Sequence, residues 1–337
     1  MEIIEFLGAL IVVLSFAFVP MIFYAAVLWW FDRYEKEPIA LIIAAFLWGA
    51  VPAIIFSLIT QIIFDLPVSA MLGAGVEAEL VGASLIAPIT EEPFKGLALL
   101  LLLVLFRREI DSPLDGILYG GLVGFGFAAT ENVFYFLSVY SVEGVAGVLG
   151  LSIFRALIFG LNHAMFTGLT GLGIALARTS PSWLVKIGAP LLGLLSGTTL
   201  HAVHNLGATL AGLFCWPILI SLVSDWGGVI ALFAIVIWAS IREQRMIVQF
   251  LADEVEKGAI GQQDYHVIQS YWRRLWQRLQ ALLQLDFTRW LRLGRYYRLA
   301  TELAFSKHRW TKFRQEQKTA LQIEQLRRDL YEIRKKL

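Results

Sequence analysis

Apolar residues make up 58% of this 337-residue chain, and charged residues only 16%. A soluble domain carries about 25% charged residues, so the composition excludes an ordinary water-soluble enzyme and indicates a polytopic membrane protein. The net charge of +1 conceals a division: residues 1–241 hold 8 basic and 16 acidic groups, whereas residues 242–337 hold 20 basic and 11 acidic. Composition therefore predicts a membrane core over 1–241 and a basic domain over 242–337.

Seven apolar segments exceed the roughly 20 residues that a helix needs to cross the hydrocarbon core. They are 3–31, 39–64, 79–106, 117–140, 148–177, 186–213 and 219–241. Lys and Arg stand in the loops after the first (Arg33, Lys36), third (Arg107, Arg108) and fifth (Arg178, Lys186), and fill the tail; the loops after the second, fourth and sixth hold none. The positive-inside rule then predicts an outer N-terminus and a cytoplasmic C-terminus. The expected fold is an all-α polytopic bundle in the plasma (inner) membrane with a cytoplasmic helical domain. The first segment is too long for a signal-peptide core and lacks a following small-residue cleavage site, so it is read as retained. The single cysteine, Cys215, excludes an intrachain disulfide and a multi-cysteine zinc site.

Ionisable groups inside hydrocarbon are costly and mark sites of use. The third segment carries Glu91-Glu92-Pro93-Phe94-Lys95, with Pro88 just before it. Two prolines bracketing the glutamates predict a break or kink that frees polar backbone in a protein-lined cavity. Lys95, at i+4 from Glu91 and i+3 from Glu92, neutralises one carboxylate and leaves the other as a candidate general base. The bland reading is an ion pair that locks the kink.

The fourth segment leads through Gly120, Gly121, Gly124, Gly126, Ala128 and Ala129 to Glu131. Small residues permit close helix approach, so Glu131 is expected to face a neighbouring helix. The fifth holds His163, with Arg155 near its outer end read as snorkelling to the interface. The sixth holds His201, His204 and Asn205. His201 and Asn205 share a face at i,i+4 and are the favoured pair; His204, at i+3, is a second-shell partner or an alternative. At about 1.5 Å rise per residue, Glu91, Glu131, His163 and His201 fall within roughly 10 Å of one another in depth.

The tail reads as helical, punctuated by Gly258 and Gly261. Tyr271 through Leu279 and Trp290 through Tyr297 interleave aromatic and basic residues. Such helices suit an anionic lipid surface, and no groove-reading nucleic-acid motif accompanies them.

These residues together resemble the PrsW-type intramembrane proteases, of the wider superfamily that includes CAAX prenyl proteases and bacteriocin-processing enzymes. The resemblance spans about residues 32–210. It rests on Glu91-Glu92-x-x-Lys95, Phe127-x-x-x-Glu131, His163 and His201-x-x-x-Asn205, with Asp32-Arg33-Tyr34-Glu35-Lys36-Glu37-Pro38 similar to the family's first cytoplasmic loop. It implies an endopeptidase acting on membrane-anchored protein substrates, with Glu91 or Glu92 as the water-activating base and Asn205 beside it. Glu131, His163 and His201 match the remaining polar positions; CAAX-type members have His where Glu131 stands here. Two imidazoles and a carboxylate with water in the fourth position make a catalytic Zn2+ set, which lowers the water pKa to about 7. The metal-free alternative is a glutamate base with His and Asn donors as an oxyanion hole.

The rival is a proton-coupled transporter or channel that uses a buried Glu/His relay. A broken third helix suits it equally, but the sequence shows no inverted repeat. HExxH, GxSxG, Walker A and Rossmann signatures are missing, and Gly124-Phe125-Gly126 lacks the Asp of an aspartyl protease.

Overall fold

The computed structural model describes residues 3–34, 36–73, 75–312 and 317–337; Glu35 of the first loop motif lies outside them. The described residues are helical throughout, with no strand among them. Helix α1 (Ile3–Phe31) precedes α2 (Ile39–Trp48), which a widened π turn, Gly49–Ala53, joins to α3 (Ile54–Leu72). Short α4 (Val76–Val81) leads through a second π turn, Gly82–Ile86, into α5 (Ala87–Leu105). Then come α6 (Pro113–Ser152), a third π turn (Ile153–Ile158), α7 (Asn162–Thr179), α8 (Trp183–Ala211) and α9 (Ile218–Glu256). The tail forms α10 (Gln262–Ile268), α11 (Tyr271–Leu283), α12 (Phe287–Lys312) and α13 (Gln317–Arg334).

Two local features depart from expectation. The third segment is not broken at its glutamates: α5 runs on through Pro93, and the irregular backbone lies upstream at Gly82–Ile86. Pro88 falls in the first turn of α5, where a missing N–H removes nothing the helix needs. Nor does a loop separate the fourth and fifth segments. The chain stays helical from Pro113 to Ser152 except at Gly144, whose φ of 65° departs from the helix. The start of α6 is set locally. The Ser112 hydroxyl accepts from the Leu114 and Asp115 amides, and the Asp115 carboxylate accepts from the Ser112 amide, closing a capping box.

Five stretches are long and apolar enough to cross a membrane: Glu5–Phe31, Ile39–Leu72, Pro113–Thr179, Trp183–Ala211 and Ile218–Glu256. The three charges of Glu91, Glu92 and Lys95 interrupt the apolar run of α5 and keep it outside that set. Large apolar side chains such as Ile11, Ile22, Val104 and Leu192 point outward, as a lipid-facing surface requires.

The chain divides into two compact units: residues 1–31 with 37–236, and residues 32–36 with 237–337. In the first, α6 packs against α1 and α7, and α7 against α8, around Met21, Leu99, Leu118, Tyr119 and Leu122. Backbones approach closely where side chains are absent. A methyl at Gly124 would meet the His163 carbonyl, and one at Gly126 the Phe46 carbonyl and the Ala50 nitrogen. These contacts set α7 and α2 against the α6 segment that carries Glu131. In the second unit, Ile247, Leu251, Tyr296, Ala300, Leu303 and Leu330 form a separate apolar core.

Candidate active site

Helix α5 presents Glu91, Glu92 and Lys95 on one buried face. Lys95 Nζ lies 3.2 Å from Glu91 Oε2, 2.8 Å from Glu92 Oε1 and 3.1 Å from His163 Nδ1. It also stands 3.8 Å from the centre of the Phe127 ring. One ammonium thus serves both carboxylates, where the sequence assigned it to one. The two glutamates then diverge. Glu92 is wholly buried: its Oε2 accepts from Thr167 Oγ1 at 3.1 Å, and its Oε1 meets His201 Nδ1 at 3.0 Å. Glu91 accepts from Gln61 Nε2 at 3.1 Å and lines a cavity of about 1090 Å³, which Glu131, Arg155 and Asn205 also border.

His163 and His201 are each oriented by a carboxylate. His163 Nε2 lies 2.9 Å from Glu131 Oε2. Because a carboxylate accepts only, His163 Nε2 and His201 Nδ1 carry the protons. Of the opposite nitrogens, His163 Nδ1 faces Lys95, and His201 Nε2 stands 3.8 Å from Glu91 Oε2. Glu91, Glu92, His163 and His201 each offer a ligand atom within 4.8 Å of the others. Glu131 stands outside that group, occupied with His163 and Arg155.

Arg155 is the clearest correction. It does not snorkel to an interface. Its Nη2 donates to Glu131 Oε2 at 2.7 Å, its Nε to Asn132 Oδ1 at 2.8 Å, and its guanidinium lies 3.7 Å from the Tyr135 ring centre. A partly buried carboxylate is a better partner for this cation than distant headgroups, but the pairing joins residues 24 apart.

The residues of α8 split three ways. His201 joins the cluster. Asn205 Nδ2 donates to the Ala83 carbonyl at 2.8 Å, tying α8 to the π turn before α5. His204 turns to Asp225 of α9, with Nδ1 2.6 Å from Oδ2 but off hydrogen-bond alignment. Its Nε2 accepts from Asn162 Nδ2 at 3.2 Å, and Asn162 Oδ1 accepts from the His163 amide at 2.6 Å. Asp225, Asn162, Thr167 and Gln61 have no part in the sequence reading. Asp225 alone left a signal there, as an isolated carboxylate inside the last apolar segment.

The donor chemistry suits a divalent ion. Three carboxylates (Glu91, Glu92, Glu131) face two fixed cations (Lys95, Arg155), so the cluster keeps a formal negative excess that favours a cation. Carboxylate–imidazole pairs of this kind fix ring orientation around metals. Lys95 competes for three of the same atoms.

A family description, PrsW family intramembrane metalloprotease, matches residues 37–241, more than half of the chain. This chain belongs to the PrsW family. Two proteins named protease PrsW are similar to it. That of Geobacillus kaustophilus (strain HTA426) is 28% identical over 213 residues, 63% of this chain and 81% of the relative. That of Clostridioides difficile (strain 630) is 31% identical over 135 residues, 40% of this chain and 53% of the relative. No solved structure matches the chain. The PrsW match encloses every residue of the buried cluster and ends inside α9, so α10 to α13 lie beyond it. As a PrsW-family member, the chain is an intramembrane protease.

Proposed function

We propose that this chain is an endopeptidase for membrane-anchored proteins in which Glu91 is the general base. The reading rests above all on the position of Glu91, the α5 carboxylate that borders the 1090 Å³ cavity. Water there loses a proton to Glu91 as its oxygen bonds to the substrate's carbonyl carbon. The proton then passes to the departing amide nitrogen as the C–N bond breaks, leaving a carboxylate and an amine. Glu92 holds His201, and Glu131 holds His163. Lys95 keeps the two α5 carboxylates together at tolerable electrostatic cost. Asn205 acts through the π turn at Ala83.

A divalent ion such as Zn2+ would be held by donors among Glu91, Glu92, His163 and His201. When bound, it would supply Lewis-acid polarisation and acidify water. Lys95, against three of those donors, favours a second reading in which Glu91 works without an ion. Metal analysis of purified protein separates the two: stoichiometric zinc that His163→Ala abolishes supports the ion, and active, metal-free protein supports the second reading.

Family membership favours hydrolysis over proton-coupled transport. In the proposed topology the chain crosses seven times, with Pro113–Thr179 supplying two crossings and α5 another; the N-terminus is outside and residues 242–337 are cytoplasmic in a plasma (inner) membrane. The test is cleavage of a reconstituted single-span protein. Glu91→Gln, which keeps shape and removes basicity, is expected to lower kcat by about 10²–10⁴-fold. Cleavage by Glu91→Gln at the native rate would end the assignment.

A further inference from the structure

Within the tail unit, Arg33, Lys36, Arg274, Arg278, Arg295 and Arg298 line one cavity of about 470 Å³. Among its described lining residues there is no carboxylate. Three tyrosines, Tyr34, Tyr271 and Tyr297, and Thr301 add to the polar wall. Arg274 is 7% exposed and its Nε has no hydrogen-bond partner; its Nη2 reaches the Arg33 carbonyl at 3.5 Å. The Nε of Arg278 is likewise buried without a partner, its guanidinium 4.9 Å from the Trp290 ring centre.

The electrostatics agree with that geometry. Burial pushes both guanidinium groups below the ordinary arginine range, and the groups that pull them back are tyrosines. Burial also lowers Lys36, with Asp32 opposing the shift. The same unit pairs its charges elsewhere: buried Glu254 meets Lys307 Nζ at 2.7 Å and Arg327 Nη2 at 2.7 Å. Among the described residues, Arg274, Arg278, Arg295 and Arg298 have no carboxylate pairing of that kind, and a concave group of such guanidinium ions is a site for an anion.

We propose that this cavity binds a ligand bearing two or more phosphate charges. Guanidinium forks match phosphate oxygens two at a time, and several of them converge here. The volume falls within the roughly 300–1,000 Å³ of small-molecule sites, more than one phosphate ion needs. Two sources share that chemistry: the headgroup of an anionic phospholipid, or a soluble phosphorylated molecule. Arg33 and Lys36 follow closely on Phe31, where the first apolar helix ends, and α11 exposes Trp272 and Trp276. Both features suit a headgroup at the membrane surface. The site is independent of the proteolytic reading, because none of its residues belongs to the buried cluster.

The test uses the full chain in phosphatidylcholine nanodiscs. One arm titrates inorganic pyrophosphate by calorimetry. The other replaces part of the lipid with cardiolipin and measures its retention by native mass spectrometry. Binding in the first arm indicates a soluble ligand, and binding in the second alone a lipid. Either is expected to weaken at least about tenfold in Arg274→Gln/Arg278→Gln and to weaken with added salt. Arg295→Gln/Arg298→Gln, at exposed positions of α12, is expected to weaken it too and guards against misfolding of the first pair. Arg328→Gln, outside the cavity, is expected to bind as the parent does. The proposal fails if neither probe binds, or if the α12 pair and a folded Arg274→Gln/Arg278→Gln both bind like the parent.

Discussion

Glu131 divides a single oxygen between Arg155 and His163, and that sharing decides what the residue can do. An oxygen that accepts from a guanidinium and an imidazole is a poor free ligand, but it holds a ring in one orientation. Glu131→Gln keeps the shape and loses the charge, so His163 loses the partner that selects its tautomer. The expected effect is a fall in kcat of about 10–100-fold with KM little changed. Asp225→Asn acts one step further out, through His204 and Asn162, and is expected to move kcat in the same direction by less. Equal loss in kcat and thermal stability for both variants would indicate a packing role instead. Four motifs in the sequence exposed the carboxylates and imidazoles of this cluster. They did not reveal the partners, because Arg155 lies 24 residues from Glu131 and Asp225 approaches His204 from another helix.

Helices meet at this site by backbone, so glycine has a specific task. The α6 turn at Gly124 and Gly126 lies against the His163 carbonyl and the Phe46 carbonyl, which cannot retreat as a flexible side chain can. Gly124→Ala is expected to cost about 1–3 kcal/mol of stability and to lower activity, because the displaced element carries His163. Gly188→Ala, with open space around its position, is expected to leave both nearly unchanged. Thermal unfolding in detergent with a parallel cleavage assay checks the pair. The proline segments show the limit of element-level reading. Pro88 and Pro93 were sufficient reason to expect a break, yet the helix absorbs both, since the first tolerates its missing donor at a helix start and the widened turn lies upstream.

Across the whole molecule, the charge balance differs between the units, and pH reads the difference. Burial would raise the Glu254 carboxyl, but hydrogen bonds from Arg327 and Lys307 outweigh it and hold the group below its ordinary range. A depressed carboxyl contributes stability above its unfolded pKa of about 4.3 and loses it as pH falls through the folded value. Acid is therefore expected to loosen α12 and α13 first. Amide exchange in those helices should accelerate below about pH 4.3, and Glu254→Gln should flatten that dependence while speeding exchange at neutral pH. An unchanged exchange profile in Glu254→Gln would remove the network as the cause.

The sequence by itself determined the helical class, the membrane character, the family and the types of side chain buried in the apolar segments. Those properties follow from run length, composition and short-range spacing, which act within one or two turns of a helix. Only the tertiary structure decided that Lys95 serves two glutamates, that Arg155 turns inward, that Asn205 binds Ala83 instead of joining the cluster, and that residues 32–36 join the tail. Each of those outcomes depends on which surfaces pack together. Packing joins residues far apart in the chain, where hydropathy and periodicity carry no information.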